Sequence, residues 1–386
     1  MNKAFLILLF SLFVILGYCF FLSSSSVKNI EVPRTDSLRT IKINIVGDLM
    51  CHSTQFIYAH VEDDSFDFTG VFTEVKQFLS GSDLTIGNLE TVFAGKSKGY
   101  SGFPFFNTPD DFLFALKDSG FDLLITANNH ALDQGEEGVL RTIEKLNEYQ
   151  LNYTGAFSSQ NDRDSIRIFN LSDVKLSVIA YTFSTNDVPL HKGKDYLINM
   201  IDFKLIGKDI ESAREAGAEI VLVHFHYGSE YKREPTAYQK DVVNKTIELG
   251  ADIIIGGHPH VIQPVDYFKT NGGKMDTGFV AYSIGNFISN QRWRYSDAGM
   301  ILSLEITKNL KSDSVYINKV SYLPTWVFRG NTENGREYII LPSTISIEDT
   351  SFKYLTKSDR KKIVEAFEDT RSIITKYNSR IEEIVR

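Results

Sequence analysis

The sequence predicts a layered α/β domain. Short apolar, strand-like runs alternate with amphipathic helical stretches along most of the chain. Five of the eight histidines, His130, His224, His226, His258 and His260, sit at or just after the end of such a run. In an open α/β sheet the carboxyl ends of the strands form the ligand crevice. One common cause accounts for imidazoles gathered there, and a metal site supplies it.

The chain opens with Met1-Asn2-Lys3 and then carries no charge from Ala4 to Leu22. As a helix this run would span roughly 28 Å, close to the hydrocarbon thickness of a bilayer. Its end, Tyr18-Cys19-Phe20-Phe21-Leu22, lacks the small residues of a cleavage site. The reading is one uncleaved transmembrane helix over residues 1–22; a cleaved signal peptide and a lipid-modified Cys19 are the alternatives. Lys3 and the amino terminus stay cytoplasmic by the positive-inside tendency, which places the remainder outside the cell membrane. Residues 23–40 read as a polar linker, 41–330 as the main domain and 331–386 as a C-terminal extension.

Ile41, Ile43 and Ile45 alternate with polar residues and predict the first strand, ended by Gly47-Asp48. Leu84-Thr85-Ile86 leads into Asn88-Leu89-Glu90. Thr108-Pro109-Asp110-Asp111 carries a cap residue, a proline at the first helical position and an acid three after the cap, so a helix is expected from Thr108 to near Gly120. Strands follow at 122–126, 175–181, 219–223, 251–255 and 279–283, and helices at 138–149, 202–216 and 235–249. Residues 301–322 predict paired strands, and 358–385 a closing amphipathic helix.

Composition limits the function. Apolar residues make up 42% and charged residues 23%, ordinary for a globular protein. A formal charge of −8 and the lack of any dense basic run argue against nucleic acid as a partner. The two cysteines, Cys19 and Cys51, exclude a disulfide framework, and Cys51 reads as a small buried residue or a further ligand.

The densest chemistry lies in Gly256-Gly257-His258-Pro259-His260, directly after the apolar run ending at Ile255, where Pro259 stiffens the loop between two imidazoles. Asp48, Glu90, Asn129, His226, His258 and His260 all fall at strand ends. Mixed carboxylate, amide and imidazole donors suit divalent transition metals. Gly47-Asp48, Asn88-Leu89-Glu90, Ala127-Asn128-Asn129-His130-Ala131-Leu132-Asp133, His226-Tyr227-Gly228-Ser229-Glu230-Tyr231, Gly257-His258-Pro259-His260 and Ser283-Ile284-Gly285-Asn286-Phe287 together resemble the CapA family. These are capsule-biosynthesis proteins linked to poly-γ-glutamate, within the calcineurin-like metallophosphoesterases. The resemblance covers roughly Lys42 to Gln291.

The resemblance implies a four-layer α-β-β-α sandwich, a membrane-attached protein and two divalent metal ions, of manganese, zinc or iron type. Its ligands would be Asp48, Glu90 as the bridging carboxylate, Asn129, His226, His258 and His260. His130 is the expected general acid or electrostatic stabiliser, and Asp133, three residues on, either orients its ring or caps the following helix. Arg292 and Arg294 bind a substrate carboxylate or phosphate, or lie on a solvated loop. His224 reads as a histidine supporting the ligands from behind or as a core histidine, His52 as a loop residue, and Glu230 has no assigned role. Two positions depart from the wider superfamily. Leu49 and Met50 follow Asp48 where an Asp-x-His pattern is usual, and Glu90 stands in place of an aspartate.

The expected function is metal-assisted acyl or phosphoryl transfer or hydrolysis on an anionic surface polymer or its precursor, alongside other capsule-synthesis membrane subunits. A non-catalytic, metal-containing scaffold of a polymer-export complex is one alternative, and a general metallophosphoesterase another. A reporter fused after Arg386 is expected to report an extracytoplasmic position, with the protein retained in membranes through a high-salt wash. Recovery of a soluble protein beginning beyond Leu22 would exclude the anchor.

Overall fold

A computed structural model describes residues 37–386 except 63–64, 347, 378–379 and 385–386. The predicted anchor, and the linker as far as residue 36, lie outside the described residues. Among the described residues no helix is long and apolar enough to cross a membrane.

In chain order the elements begin β1 (Leu38–Leu49), α1 (Ser53–Ala59), α2 (Thr69–Phe72), α3 (Lys76–Leu79), β2 (Leu84–Leu89), α4 (Asp111–Asp118), β3 (Leu123–Ile125), α5 (Gly135–Glu148) and β4 (Asn152–Thr154). They continue with α6 (Gln160–Asp164), β5 (Ile168–Leu171), β6 (Val174–Thr182), α7 (Phe203–Glu215), β7 (Ile220–His226), α8 (Ala237–Glu248), β8 (Ile253–Gly257), β9 (Val265–Lys269) and β10 (Thr277–Ala281). The last are β11 (Asn286–Ile288), β12 (Ala298–Asn309), β13 (Val315–Thr332), β14 (Gly335–Pro342), α9 (Lys357–Ile374) and β15 (Glu382–Glu383).

Two sheets form. One has the order β14-β13-β12-β1-β2-β3-β4, with β11 beside β1 and β15 beside β13; the other has the order β5-β6-β7-β8-β10-β9. In the first, β1, β2, β3 and β4 run parallel, while β12, β13 and β14 continue antiparallel. In the second, β6, β7, β8 and β10 are parallel, with β5 and β9 antiparallel at the edges.

Alternation along each strand sorts the side chains into layers. Ile41, Ile43 and Ile45 of β1 meet Leu222 of β7 and Ile253 and Ile255 of β8 between the two sheets. Val46 and Leu49 face the other way, onto Phe112 and Leu116 of α4 and Ile143 and Leu146 of α5. On the far side, Val221, Val223 and Ile254 pack against Ile206 and Ile210 of α7 and Val242 and Val243 of α8. The order is therefore helices, sheet, sheet, helices. Burial on both faces explains the unbroken Ile253-Ile254-Ile255 run.

Most predicted elements are present with shifted ends, and three differences have physical causes. The first concerns the helix expected to start at Thr108. It starts at Asp111, because the Thr108 hydroxyl bonds that of Thr91 at 2.6 Å and Arg141 grips both oxygens of Asp110 at 2.8 and 2.7 Å. Both capping side chains are thus engaged elsewhere. The closing helix ends at Ile374 rather than 385. Beyond it Ile381 is buried in the layer between the sheets, and Glu382 and Glu383 pair with Ser321 and Tyr322 of β13. The stretch past residue 330 joins the same body: β14 hydrogen-bonds along β13, and α9 packs Ile363 and Ala366 on Trp326 and Phe328.

Close backbone approach fixes the neighbours of β1 and β8 near their carboxyl ends. A Cβ on Gly47 would stand 1.8 Å from the Gly285 carbonyl oxygen, and one on Gly256 2.0 Å from that of Tyr282. Gly47→Ala is therefore expected to destabilise the protein by about 1–3 kcal/mol, the usual cost of overpacking. Chemical denaturation measures this, and an unchanged midpoint would contradict the packing described here.

Candidate metal centre

Six parallel strands, three from each sheet, deliver their carboxyl ends to one edge. Asp48 lies at the end of β1, Asn88 and Glu90 at the end of β2, and Asn128, Asn129 and His130 just after β3. From the second sheet come His226 at the end of β7 and His258 and His260 after β8; past β10 the chain crosses to the first sheet, where Asn286 opens β11 beside β1. A main-chain bond joins the two sets: Asp48 N–H donates to the carbonyl of Gly285, which follows β10, at 3.0 Å. Gly257 leaves room for this, since a Cβ there would approach Asp48 Oδ1 to 2.8 Å.

Asp48, Glu90, Asn129, His226, His258 and His260 are all buried and lie together. Asp48 Oδ1 accepts from Asn88 Nδ2 at 2.7 Å, and Oδ2 lies 3.1 Å from His260 Nδ1. His226 Nε2 is 2.8 Å from Asn129 Oδ1 and 3.6 Å from Glu90 Oε1. His260 Nε2 is 3.9 Å from the same Glu90 oxygen. Asn129 turns its oxygen inward because its amide nitrogen donates to Asn186 Oδ1 at 3.1 Å. His258 and His260 hold positive φ angles of 92° and 57°, a conformation that side-chain-bearing residues adopt only when the surroundings enforce it.

Electrostatics single out Glu90. Both of its oxygens are buried with no hydrogen-bond partner, as is Nδ1 of His258. Burial, and then the carboxylates of Asp48, Glu230 and Asp133, drive the Glu90 carboxyl well above the usual range. Asp48 behaves oppositely: burial opposes its ionisation, but the bond and charge of His260 and the amide of Asn88 outweigh it and hold it low. Burial pushes His258 down to about 3 and His224 to about 4, and takes His226 well below the ordinary imidazole value. Neutral imidazoles and a dry, unpaired carboxylate are a donor set that fits a divalent cation. Among the described residues Glu90, His226 and His258 form one group able to hold an ion, Asp48, Glu90 and His260 a second, and Glu230, His258 and His260 a third. Glu90 is shared by the first two, as a bridging carboxylate must be.

His130 stands at the rim of this group. Its Nδ1 is 2.8 Å from Asp133 Oδ2, which also accepts the Phe106 N–H at 2.7 Å. Asp133 thus orients the ring and caps no helix; the following helix begins at Gly135 with no side-chain cap. Phe106 presses edge-on against the imidazole at a centroid distance of 4.7 Å.

Arg292 and Arg294 are not brought to the cluster. Arg292 donates to the Val327 carbonyl at 2.6 Å beneath Trp326, and Arg294 binds both oxygens of Asp369 on α9 at 2.9 and 2.7 Å. His52 faces Gln55 and the Asn290 N–H, outside every ligand group. Burial pushes the Cys51 thiol up to about 12. The buried His224, with both ring nitrogens unpaired, lies behind Gly257. Sequence reasoning gave no role to Asn88, Asn186 and Asn286. Asn88 and Asn286 lay inside quoted motifs, the latter 3.0 Å from His260 Nδ1; Asn186 carried no local signal.

Comparison with known proteins follows the same boundaries. The family model described as bacterial capsule synthesis protein PGA_cap matches residues 42–291. A capsule biosynthesis protein CapA of Bacillus anthracis is 29% identical over 294 residues, covering 70% of this chain and 67% of that protein. A PGA biosynthesis protein CapA of Bacillus subtilis is 28% identical over 290 residues, covering 72% of each. Similar solved structures include the NAD nucleotidase of Haemophilus influenzae, at 15% identity and a TM-score of 0.47, covering 90% of this chain and 64% of that one. They also include a calcineurin-like phosphoesterase of Bacillus subtilis, at 12% identity and a TM-score of 0.45, covering 86% and 98%.

The buried imidazoles set a pH dependence. His52, pushed down to about 4 by burial, joins His224 and His258 in staying neutral where the unfolded chain is protonated. Between about pH 6.5 and 4 the unfolded state binds more protons, so stability falls as pH falls, by about 1.4 kcal/mol per unit for each such group. Glu90, raised, contributes with the opposite sign as pH rises above the ordinary glutamate value. Asp122, Asp133, Asp252 and Asp297, also raised by burial, act as Glu90 does but start from the lower value of 3.8, so from pH 7 to 5 in chelator the imidazoles prevail and the melting temperature is expected to drop. A flat profile would refute this assignment.

Proposed function

The chain belongs to the bacterial capsule synthesis family, and on that premise we propose that it is a metal-dependent enzyme acting on an anionic capsule polymer or its precursor. The reaction is acyl or phosphoryl transfer or hydrolysis. The observation that carries the reading is Glu90: a carboxylate with two buried, unpartnered oxygens among His226, His258 and His260. A buried anion without partners is costly, and divalent cations remove the cost. The proposal includes two ions, held by Asp48, Glu90, Asn129, His226, His258 and His260. They would supply Lewis acidity toward the acyl or phosphoryl oxygen.

The remaining work falls to the chain's own side chains. Asp133 fixes His130 through Nδ1, leaving Nε2 to exchange a proton with the leaving group. Phe103 and Phe106 flank that imidazole and limit water around it. Asn286 and Asp48 hold His260 from its Nδ1 side, so that Nε2 faces Glu90. The protein is placed in the cell membrane by a single N-terminal span, its catalytic domain outside, among the membrane subunits of capsule synthesis.

His130→Ala is expected to keep the ions and the melting temperature and to lose roughly 10²–10⁴-fold in turnover, the range for a lost general acid. His260→Ala is expected to lose metal and stability together. Complementation of a deletion strain, with metal content measured in parallel, tests both. Full polymer production by metal-replete His130→Ala protein would refute His130 catalysis and favour a scaffold that keeps the metals for binding.

A further inference from the structure

The geometry points to Glu230 as a direct ligand of one of the two ions, on the open side of His260. This rests on the metal-dependent reading above and goes beyond it by adding a ligand that the buried set lacks. The two nitrogens of His260 face different surroundings. Nδ1 lies against Asp48 Oδ2 at 3.1 Å and Asn286 Oδ1 at 3.0 Å, and so is committed to holding the ring in place. Nε2 faces two carboxylates, Glu90 Oε1 at 3.9 Å and Glu230 Oε1 at 4.0 Å. Glu230, His258 and His260 offer ligand atoms within 4.8 Å of one another, and ligand bonds of about 2.1 Å put neighbouring donor atoms roughly 3–3.5 Å apart, so a modest contraction lets these three residues share one ion.

Asp48 lies on the other side of His260 from Glu230. Its oxygens already receive Asn88 Nδ2, His260 Nδ1 and, at 3.4 Å, the His258 N–H. Leu49 and Met50, which follow it, are buried and apolar. Glu90 carries two unpartnered buried oxygens and His258 an unpartnered Nδ1, so donors free to bind a cation lie close to Glu230.

The position of Glu230 is built. Gly228 turns the chain after β7 at a φ of 105°, and a Cβ there would meet the Gln239 side chain at 2.5 Å. Tyr231, at a φ of 62°, donates its N–H to the Pro259 carbonyl at 2.8 Å, tying this loop to the His258-Pro259-His260 turn. Gln239 Nε2 donates to Gln263 at 2.7 Å, and Gln263 Nε2 donates to the Lys232 carbonyl at 2.8 Å. Glu230 is 44% exposed while His260 is buried, so it forms the solvent-facing wall of the centre. The ligand chemistry of that ion is then a carboxylate and two imidazoles, which suits manganese, iron or zinc.

The test is equilibrium dialysis of the full-length chain in detergent against Mn²⁺, with elemental analysis of bound metal. The unaltered protein is expected to hold two ions. Glu230→Gln is expected to hold one at the same free Mn²⁺, the second binding at least about 10-fold more weakly, and to melt with the unaltered protein in chelator. Glu230→His, neutral but able to ligate, is expected to recover the second ion. Two ions bound with unchanged affinity by Glu230→Gln would overturn the assignment while leaving the metal centre intact. Equal weakening in the Gln and His variants would also overturn it, since a charge effect alone then suffices. No metal bound by the unaltered protein would overturn the metal-dependent reading, and Glu230 with it.

Discussion

The centre depends on one carboxylate kept dry. Glu90 follows a strand covered on both faces, and no N–H or O–H reaches either of its oxygens. In water such a group is ionised and solvated; here burial and three neighbouring carboxylates oppose its charge. Kept ionised, it needs positive charge close by. His226 and His258 do not provide it, because their own burial keeps them neutral. An unpaired carboxyl and neutral imidazoles, all deprived of water, make a set of donors suited to a cation.

Everything around Glu90 controls direction. Asp48 and Asn286 grip one nitrogen of His260, Asn186 turns the oxygen of Asn129, and Asp133 sets the ring of His130. These partners come from both sheets, so the relation between the sheets sets the geometry of the centre. Gly47 and Gly257 make that relation tight, because a side chain would collide with the Gly285 backbone at the first and with Asp48 at the second. Backbone strain at His258 and His260 is sustained by the same network.

Much of this was legible in the sequence. The double-sided burial of β8 shows as three consecutive isoleucines, and the convergence of strand ends shows as histidines placed just after apolar runs. Asp48, Glu90, Asn129, His226, His258 and His260 were found because each adjoins such a run. What escaped notice depends on contacts distant in sequence. Arg294 looks free on its loop until α9 brings Asp369 to it, and Thr108 looks like a helix cap until Thr91 takes its hydroxyl. Asn186 lies 57 positions from the residue it orients, and no local pattern announces that.

The antiparallel half of the first sheet has a bearing on how this architecture is inherited. The segment shared with the family ends at residue 291, yet β1, which carries Asp48, is hydrogen-bonded along most of its length to β12, which begins at Ala298. A chain ending with the shared segment would leave β1 an open edge, its isoleucines bared on one side and its amides unpaired. The recognisable sequence is therefore smaller than the folding unit. β12–β14 and α9, although beyond the matched segment, belong to the body that holds the strand carrying Asp48 in place.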